Sequence, residues 1–172
     1  FNRQPSLRKK SIMAHTVKLM PGRTFRLNLS CTGPYNGDFD GDEMNLHMLQ
    51  SVDAIVEAKT LMSVGTQLLN AQNNKPCMGI VQDALVGAFL MTQTDTFLTR
   101  SEISQLLMHV RYPHESGSVL PTAAILKPAA LWTGKQVMSM ILPKISLKKK
   151  DVLIRNGELL RGTLCKNTLG AT

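Results

Sequence analysis

Aromatic side chains are scarce in this chain of 172 residues, where one Trp, two Tyr and five Phe amount to 5%. A core built with so few of them has to be aliphatic, and ten methionines supply flexible side chains that fill irregular gaps. Cysteine is equally thin. Cys31, Cys77 and Cys165 are odd in number, widely spaced and without a C-x-x-C pair, so spacing supports neither a disulfide framework nor a zinc site. They read as small buried hydrophobes of a reducing compartment. No apolar run approaches the ~20 residues that span a bilayer. The opening Phe1-Asn2-Arg3-Gln4-Pro5 has no initiator Met and no signal-peptide pattern, and the chain reads as a piece of a longer one.

Acid is what the first part of the chain lacks most. Arg3, Arg8, Lys9, Lys10, Lys18, Arg23 and Arg26 all precede Asp38, and no Asp or Glu stands among them. The whole chain carries a formal charge of +8 and a pI near 9.7, which points to an anionic partner, nucleic acid first and a membrane surface second. A 43% hydrophobic content excludes a disordered tail. The length suits one good core or two small ones.

Against that basic background, Asp38, Asp40, Asp42 and Glu43 place four of the twelve acidic residues in a six-residue window. Three aspartates at alternate positions repel one another as anions unless a cation sits between them. Mg²⁺ takes oxygen ligands and keeps positions for water and substrate phosphates, which suits three carboxylates from one short loop. Gly37 and Gly41 let the backbone bend so that the three converge. His47, a lone imidazole beside hard oxygen ligands, reads by default as a structural or supporting hydrogen-bonding group.

Other chemistries fit less well. A calcium-binding loop needs glycine at its sixth position and a carboxylate at its twelfth, where this chain has Glu43 and Leu49. A phosphate-cradling loop fails at Gly134-Lys135-Gln136, with Ala129 in place of its first glycine. A glycosidase pair stays open but has no use for a third aspartate. A carboxylate-held Mg²⁺ beside a basic approach is the equipment of phosphoryl or nucleotidyl transfer, with the basic residues holding a nucleic-acid backbone.

Local patterns outline the rest. Alternation predicts strands at 24–30 and 44–48, hanging the acidic loop between them, with Gly33-Pro34 as a break. Ser51 is a candidate N-cap of a helix running to about Met62, and residues 70–75 form a polar loop closing at Pro76. Ile80, Val81, Ala84, Leu85, Ala88 and Phe89 share one helical face, as do Ile103, Leu106, Leu107 and Val110. The second of these helices opens on the capping box Thr99-x-x-Glu102. Residues 111–130, with Pro113, Gly117, Pro121 and Pro128, read as loop. Thr133-x-x-Gln136 caps a further helix that Pro143 ends. Lys148-Lys149-Lys150 reads as a solvated charge run, and Asn156-Gly157 joins a hairpin.

Several blocks then become recognisable: Phe1-Asn2-Arg3-Gln4-Pro5, Phe25-Arg26-Leu27-Asn28 and the run from Asn36-Gly37-Asp38-Phe39-Asp40-Gly41-Asp42 through Glu43-Met44-Asn45-Leu46-His47. With Met78-Gly79-Ile80-Val81-Gln82-Asp83, Leu126-Lys127-Pro128, Leu131-Trp132-Thr133-Gly134-Lys135-Gln136 and Asn156-Gly157-Glu158-Leu159, they resemble the active-centre region of the largest subunit of multisubunit DNA-directed RNA polymerases. Glu43-Met44-Asn45-Leu46 is closest to the eukaryotic, archaeal or large-DNA-virus version. The resemblance implies an α+β fold: residues 1–50 as part of a double-psi β-barrel, and 51–172 as an incomplete, mixed α/β pore region through which nucleotides reach the centre.

It further implies that Asp38, Asp40 and Asp42 are the catalytic residues holding Mg²⁺, a second Mg²⁺ arriving with the nucleotide. Arg3 and Asn36 are implied to bind substrate near the ribose of the incoming nucleotide and the RNA 3′ end. The implied partners are the second-largest and other polymerase subunits, the DNA template, the RNA transcript and ribonucleoside triphosphates, with no membrane. The implied location is intracellular, nuclear for a cellular eukaryotic enzyme and cytoplasm or virion for a viral one. Two departures stand out: Gly37 where the family usually has Ala, and Arg8 where it usually has His. An RNA-dependent RNA polymerase of the silencing type, and a non-catalytic module that binds cations or nucleic acid, are the alternative readings.

Overall fold

The computed structural model describes residues 1–110, 120–149 and 151–170. They are α+β, with short helices and small sheets, and fall into two compact units, Phe1–Val81 and Gln82–Leu169. Among the described residues no helix is long and apolar enough to cross a membrane, and no sheet closes into a barrel.

The first unit is held by isolated bridges instead of continuous strands. Asn2 lies at their centre, bridged to both Ile12 and Asn45. The Asn2 and Asn45 backbones exchange hydrogen bonds of 2.9 and 2.8 Å, and Met13 N–H donates to Phe1 O at 3.1 Å. Beneath them Met13, Cys31, Tyr35 and Met78 form the buried cluster, flanked by Phe1, Leu27, Met44, Val64 and Cys77. Methionines thus fill two of the four central positions, as expected of an aromatic-poor core.

Two expected strands are absent from this unit. Residues 24–28 form no strand and pair with no other segment among the described residues, and Asn28 Oδ1 accepts the Ser30 N–H at 2.9 Å, turning 29–31 into a tight helical turn. Residues 44–48 keep only the Asn45 bridge, and Met48 is 87% exposed. Alternation describes the two faces of a strand but does not supply the neighbour it must bond to. The alternating run has ended before Gly33-Pro34, and both residues lie in helix α1, Thr32–Tyr35. A proline in a first turn forfeits no bond, since the N–H there has no intrahelical partner.

Helix α2, Val52–Glu57, starts where expected. Ser51 Oγ accepts the Ala54 N–H at 3.2 Å, and the helix widens into a π turn over Ala58–Met62. Asn70 and Lys75 close the polar loop, with Asn70 N–H on Lys75 O at 2.8 Å.

The second unit is more regular. Helix α3, Gln82–Met91, precedes strand β1, Phe97–Leu98, and helix α4, Arg100–Met108. Strand β2, Trp132–Thr133, pairs antiparallel with β1 and leads into helix α5, Gly134–Ile141. Strands β3, Leu147–Lys149, β4, Val152–Arg155, and β5, Glu158–Arg161, form an antiparallel sheet in that order, and helix α6, Lys166–Leu169, follows.

Both capping boxes form: Thr99 with Glu102, and Thr133 with Gln136. The hairpin turn has Asn156 and Gly157 at positive φ, 49° and 85°, the geometry that matches strand twist in two-residue turns. Lys148 and Lys149 of the lysine run are solvated, as expected, on an exposed edge strand, β3; charged side chains are a usual guard on sheet edges. Lys150, Pro113 and Gly117 lie outside the described residues. Of the expected stripe on α3 only Ala88 is buried, while Phe89 is 40% exposed. The α4 stripe does build core, with Ile103 fully buried beside Trp132 and Val137.

Candidate metal centre

The acidic loop is pinned at both ends. Tyr35 is 2% exposed and anchors its start in the core. Asn36 then adopts the left-handed conformation, φ 50° and ψ 40°, and the Asn36 and Gly37 N–H groups close the helix on Gly33 O and Thr32 O, each at 3.0 Å. Asparagine tolerates this conformation better than most residues. At the other end Asn45 is bridged to Asn2. The nine intervening positions therefore form a short protruding arc instead of a free loop.

Within the arc, one carboxylate oxygen from each of Asp38, Asp40 and Asp42 lies within 4.8 Å of the others, and all three residues are exposed. Two hydrogen bonds shape it: Asp38 N–H donates to Asp42 Oδ2 at 3.1 Å, and Asp40 N–H to Asp38 Oδ1 at 3.4 Å. Gly41 sits at φ +121°, a conformation side chains rarely adopt. Gly37 is different, because an added Cβ there meets nothing nearer than Arg3 Cδ and Asp42 Oδ2, each at an ordinary 3.6 Å. An alanine side chain therefore fits this backbone.

The electrostatics divide the three acids. Arg3 Nε donates to Asp42 Oδ2 at 2.5 Å, in a pair whose side chains are 18% and 20% exposed. The Asp42 carboxyl is held below the ordinary aspartate range by that hydrogen bond first and the Asp38 N–H second. Asp40 moves the other way: a hydrogen bond shared with the Asp38 carboxyl, then repulsion from it, push its pKa up. One guanidinium leaves the cluster short of positive charge, as expected where close carboxylates compete.

Hard oxygen donors suit Mg²⁺, whose ligands stand at most ~4 Å apart across an ion bound at ~2.1 Å. Three carboxylate oxygens converging from one short arc are a donor set of the kind such an ion takes. Arg3 and Asn36 both border the arc, Arg3 through Asp42 and Asn36 through the backbone. The Asn36 side chain makes no hydrogen bond among the described residues. His47 is exposed and stands outside the cluster. Sequence reasoning missed the partners of Tyr35: His15 Nε2 lies 2.8 Å from its hydroxyl. Twenty residues separate them, and no local pattern signals the contact.

Comparison with known proteins meets this geometry from outside. The family description "RNA polymerase Rpb1, domain 2" matches residues 1–64, and "RNA polymerase Rpb1, domain 3" matches residues 67–172. The chain belongs to the Rpb1 family. The domain 2 match contains the three aspartates, Arg3, Asn36 and Tyr35, and the domain 3 match contains all of α3 to α6. Among curated Rpb1 relatives, the DNA-directed RNA polymerase II subunit RPB1-B of Trypanosoma brucei brucei is 44% identical over 183 residues. That alignment takes in 99% of this chain and 10% of the relative, so the chain spans about a tenth of the length of that Rpb1 protein.

Proposed function

We propose that this chain is the catalytic-centre segment of the largest subunit of a DNA-directed RNA polymerase, extending RNA on a DNA template by nucleotidyl transfer. The observation that carries the reading is the convergence of Asp38, Asp40 and Asp42 within the Rpb1 domain 2 match. Those three carboxylates hold Mg²⁺. Bound there, the ion lowers the pKa of an attacking hydroxyl and stabilises charge on phosphorus oxygens, with a second ion arriving on the nucleotide.

The protein's own residues do the rest. Arg3 holds Asp42 anionic and turned inward, and its guanidinium and the Asn36 amide offer hydrogen bonds to ribose hydroxyls. The basic residues before Asp38 hold nucleic-acid phosphates. Residues 1–50 contribute part of a double-psi β-barrel whose remaining strands come from elsewhere in the full subunit, which accounts for bridges where continuous strands were expected. Residues 51–172 form the pore region. Leu7, Leu19, Met48 and Met108, each more than 80% exposed, are covered in the assembly by the rest of the subunit, the second-largest subunit or other polymerase subunits. The eukaryotic relative favours the nucleus over a virion. Matches to Rpb1 along both parts of the chain support the DNA-directed reading over a silencing-type RNA-dependent one.

The test is Asp40→Ala in the assembled polymerase. Nucleotide addition is abolished while the subunits still assemble; retained elongation refutes the reading.

A further inference from the structure

Tyr35 is the largest fully buried side chain in the described residues, and yet it is placed as a polar tie as much as a core filler. Its hydroxyl lies 2.8 Å from His15 Nε2 and 3.4 Å from Phe1 O, to which it donates. Its ring meets the Phe1 ring edge-on at 5.7 Å and stacks on His15 at 5.9 Å. A tyrosine used only for volume has no need of these partners, because phenylalanine fills the same space without a hydroxyl to satisfy.

The two segments so tied are the two that meet at the aspartates. Phe1 lies two residues before Arg3, which grips Asp42, and Tyr35 lies three residues before Asp38. The Phe1 carbonyl also accepts the Met13 N–H, so the tie is made to a segment already bonded in place. His15 is half-buried beside the Phe1 and Tyr35 rings, and that burial lowers its pKa.

We propose that Tyr35, held by His15, is the positioning residue of the aspartate loop. Its hydroxyl sets the register between the Arg3 segment and the three carboxylates and thereby the affinity for the divalent cation. The inference rests on the metal-centre reading above. A ligand set displaced by about 1 Å loses much of its grip, and residues that orient ligands typically change metal affinity 10- to 100-fold when altered.

The experiment uses the assembled polymerase without nucleotide, titrating Fe²⁺ in the presence of peroxide and reading backbone cleavage around residues 38–42. Tyr35→Phe and His15→Leu raise the half-saturating iron concentration about tenfold. His15→Gln, which keeps a donor for the hydroxyl, stays near the parent value. Met78→Leu, a volume-conserving change in the same core, also leaves it unmoved. Should Tyr35→Phe assemble poorly, His15→Leu against His15→Gln carries the comparison. Unchanged midpoints in Tyr35→Phe and His15→Leu, or equal shifts in Met78→Leu, overturn the inference while leaving the metal centre standing. Absence of cleavage in the parent overturns the metal centre itself.

Discussion

Arg3 Nε and the Asp38 N–H share one acceptor, Asp42 Oδ2, at 2.5 and 3.1 Å. A residue 39 positions away in sequence thus shapes the acidic arc from one side while the arc's own backbone shapes it from the other. Arg3→Ala leaves Asp42 without its counter-charge and free to rotate. Nucleotide addition by the assembled enzyme is expected to fall about 10- to 100-fold. Arg3→Lys recovers little, because an ammonium on a flexible stem does not reproduce the planar guanidinium donor. Single-nucleotide extension rates of the two variants check this.

Gly37 and Gly41 are expected to respond oppositely to the same change. Gly37→Ala meets nothing nearer than 3.6 Å and should leave extension within about twofold of the parent, well under 1 kcal/mol. Gly41→Ala has open space around it but forces a side chain to φ +121°, a strain of roughly 1–3 kcal/mol. Extension rates at limiting and saturating Mg²⁺ separate the two, with Gly41→Ala partly rescued by excess ion.

Gly134, in the segment 131–136 that resembles the polymerases, is explained by packing. A Cβ at this position would stand 2.0 Å from the Met91 carbonyl oxygen, where the end of α3 meets the start of α5. Backbone cannot give way as a side chain tip can. Gly134→Ala should destabilise the second unit by at least about 1–3 kcal/mol, seen as faster amide exchange in α3 and α5 of the full subunit.

The Thr99–Glu102 box makes α4 sensitive to acid. The Thr99 N–H, then its hydroxyl, donate to Glu102 and hold its pKa below the ordinary 4.5. A depressed carboxyl pKa stabilises the folded form fully above the unfolded value, and that contribution is lost as pH falls through the folded one. Protection of the Ile103 amide, bonded to Thr99 O at 3.0 Å, is expected to drop as the pH falls below the ordinary glutamate range. In Glu102→Gln the drop disappears.

Features built from residues three or four apart were legible in the sequence. Ser51, the two capping boxes and Asn156-Gly157 each act through bonds that close within one turn, so their chemistry is written locally. The convergence of three aspartates is of the same kind, five residues bent by Gly41. What stayed hidden depends on distant partners. Residues 24–30 and 44–48 alternate as strands do, but among the described residues they find no neighbouring strand beyond the Asn45 bridge to Asn2. The ties of Arg3 to Asp42 and His15 to Tyr35 span 39 and 20 positions, and no periodicity reports them.

The most direct measurement of the central claim is the map of iron-directed backbone cleavage in the assembled polymerase, with Fe²⁺ and peroxide standing in for Mg²⁺. Cleavage centred on residues 38–42, competed away by Mg²⁺ and lost in Asp40→Ala, is the predicted result. Cleavage elsewhere in the chain, or a pattern that Asp40→Ala leaves intact, contradicts it.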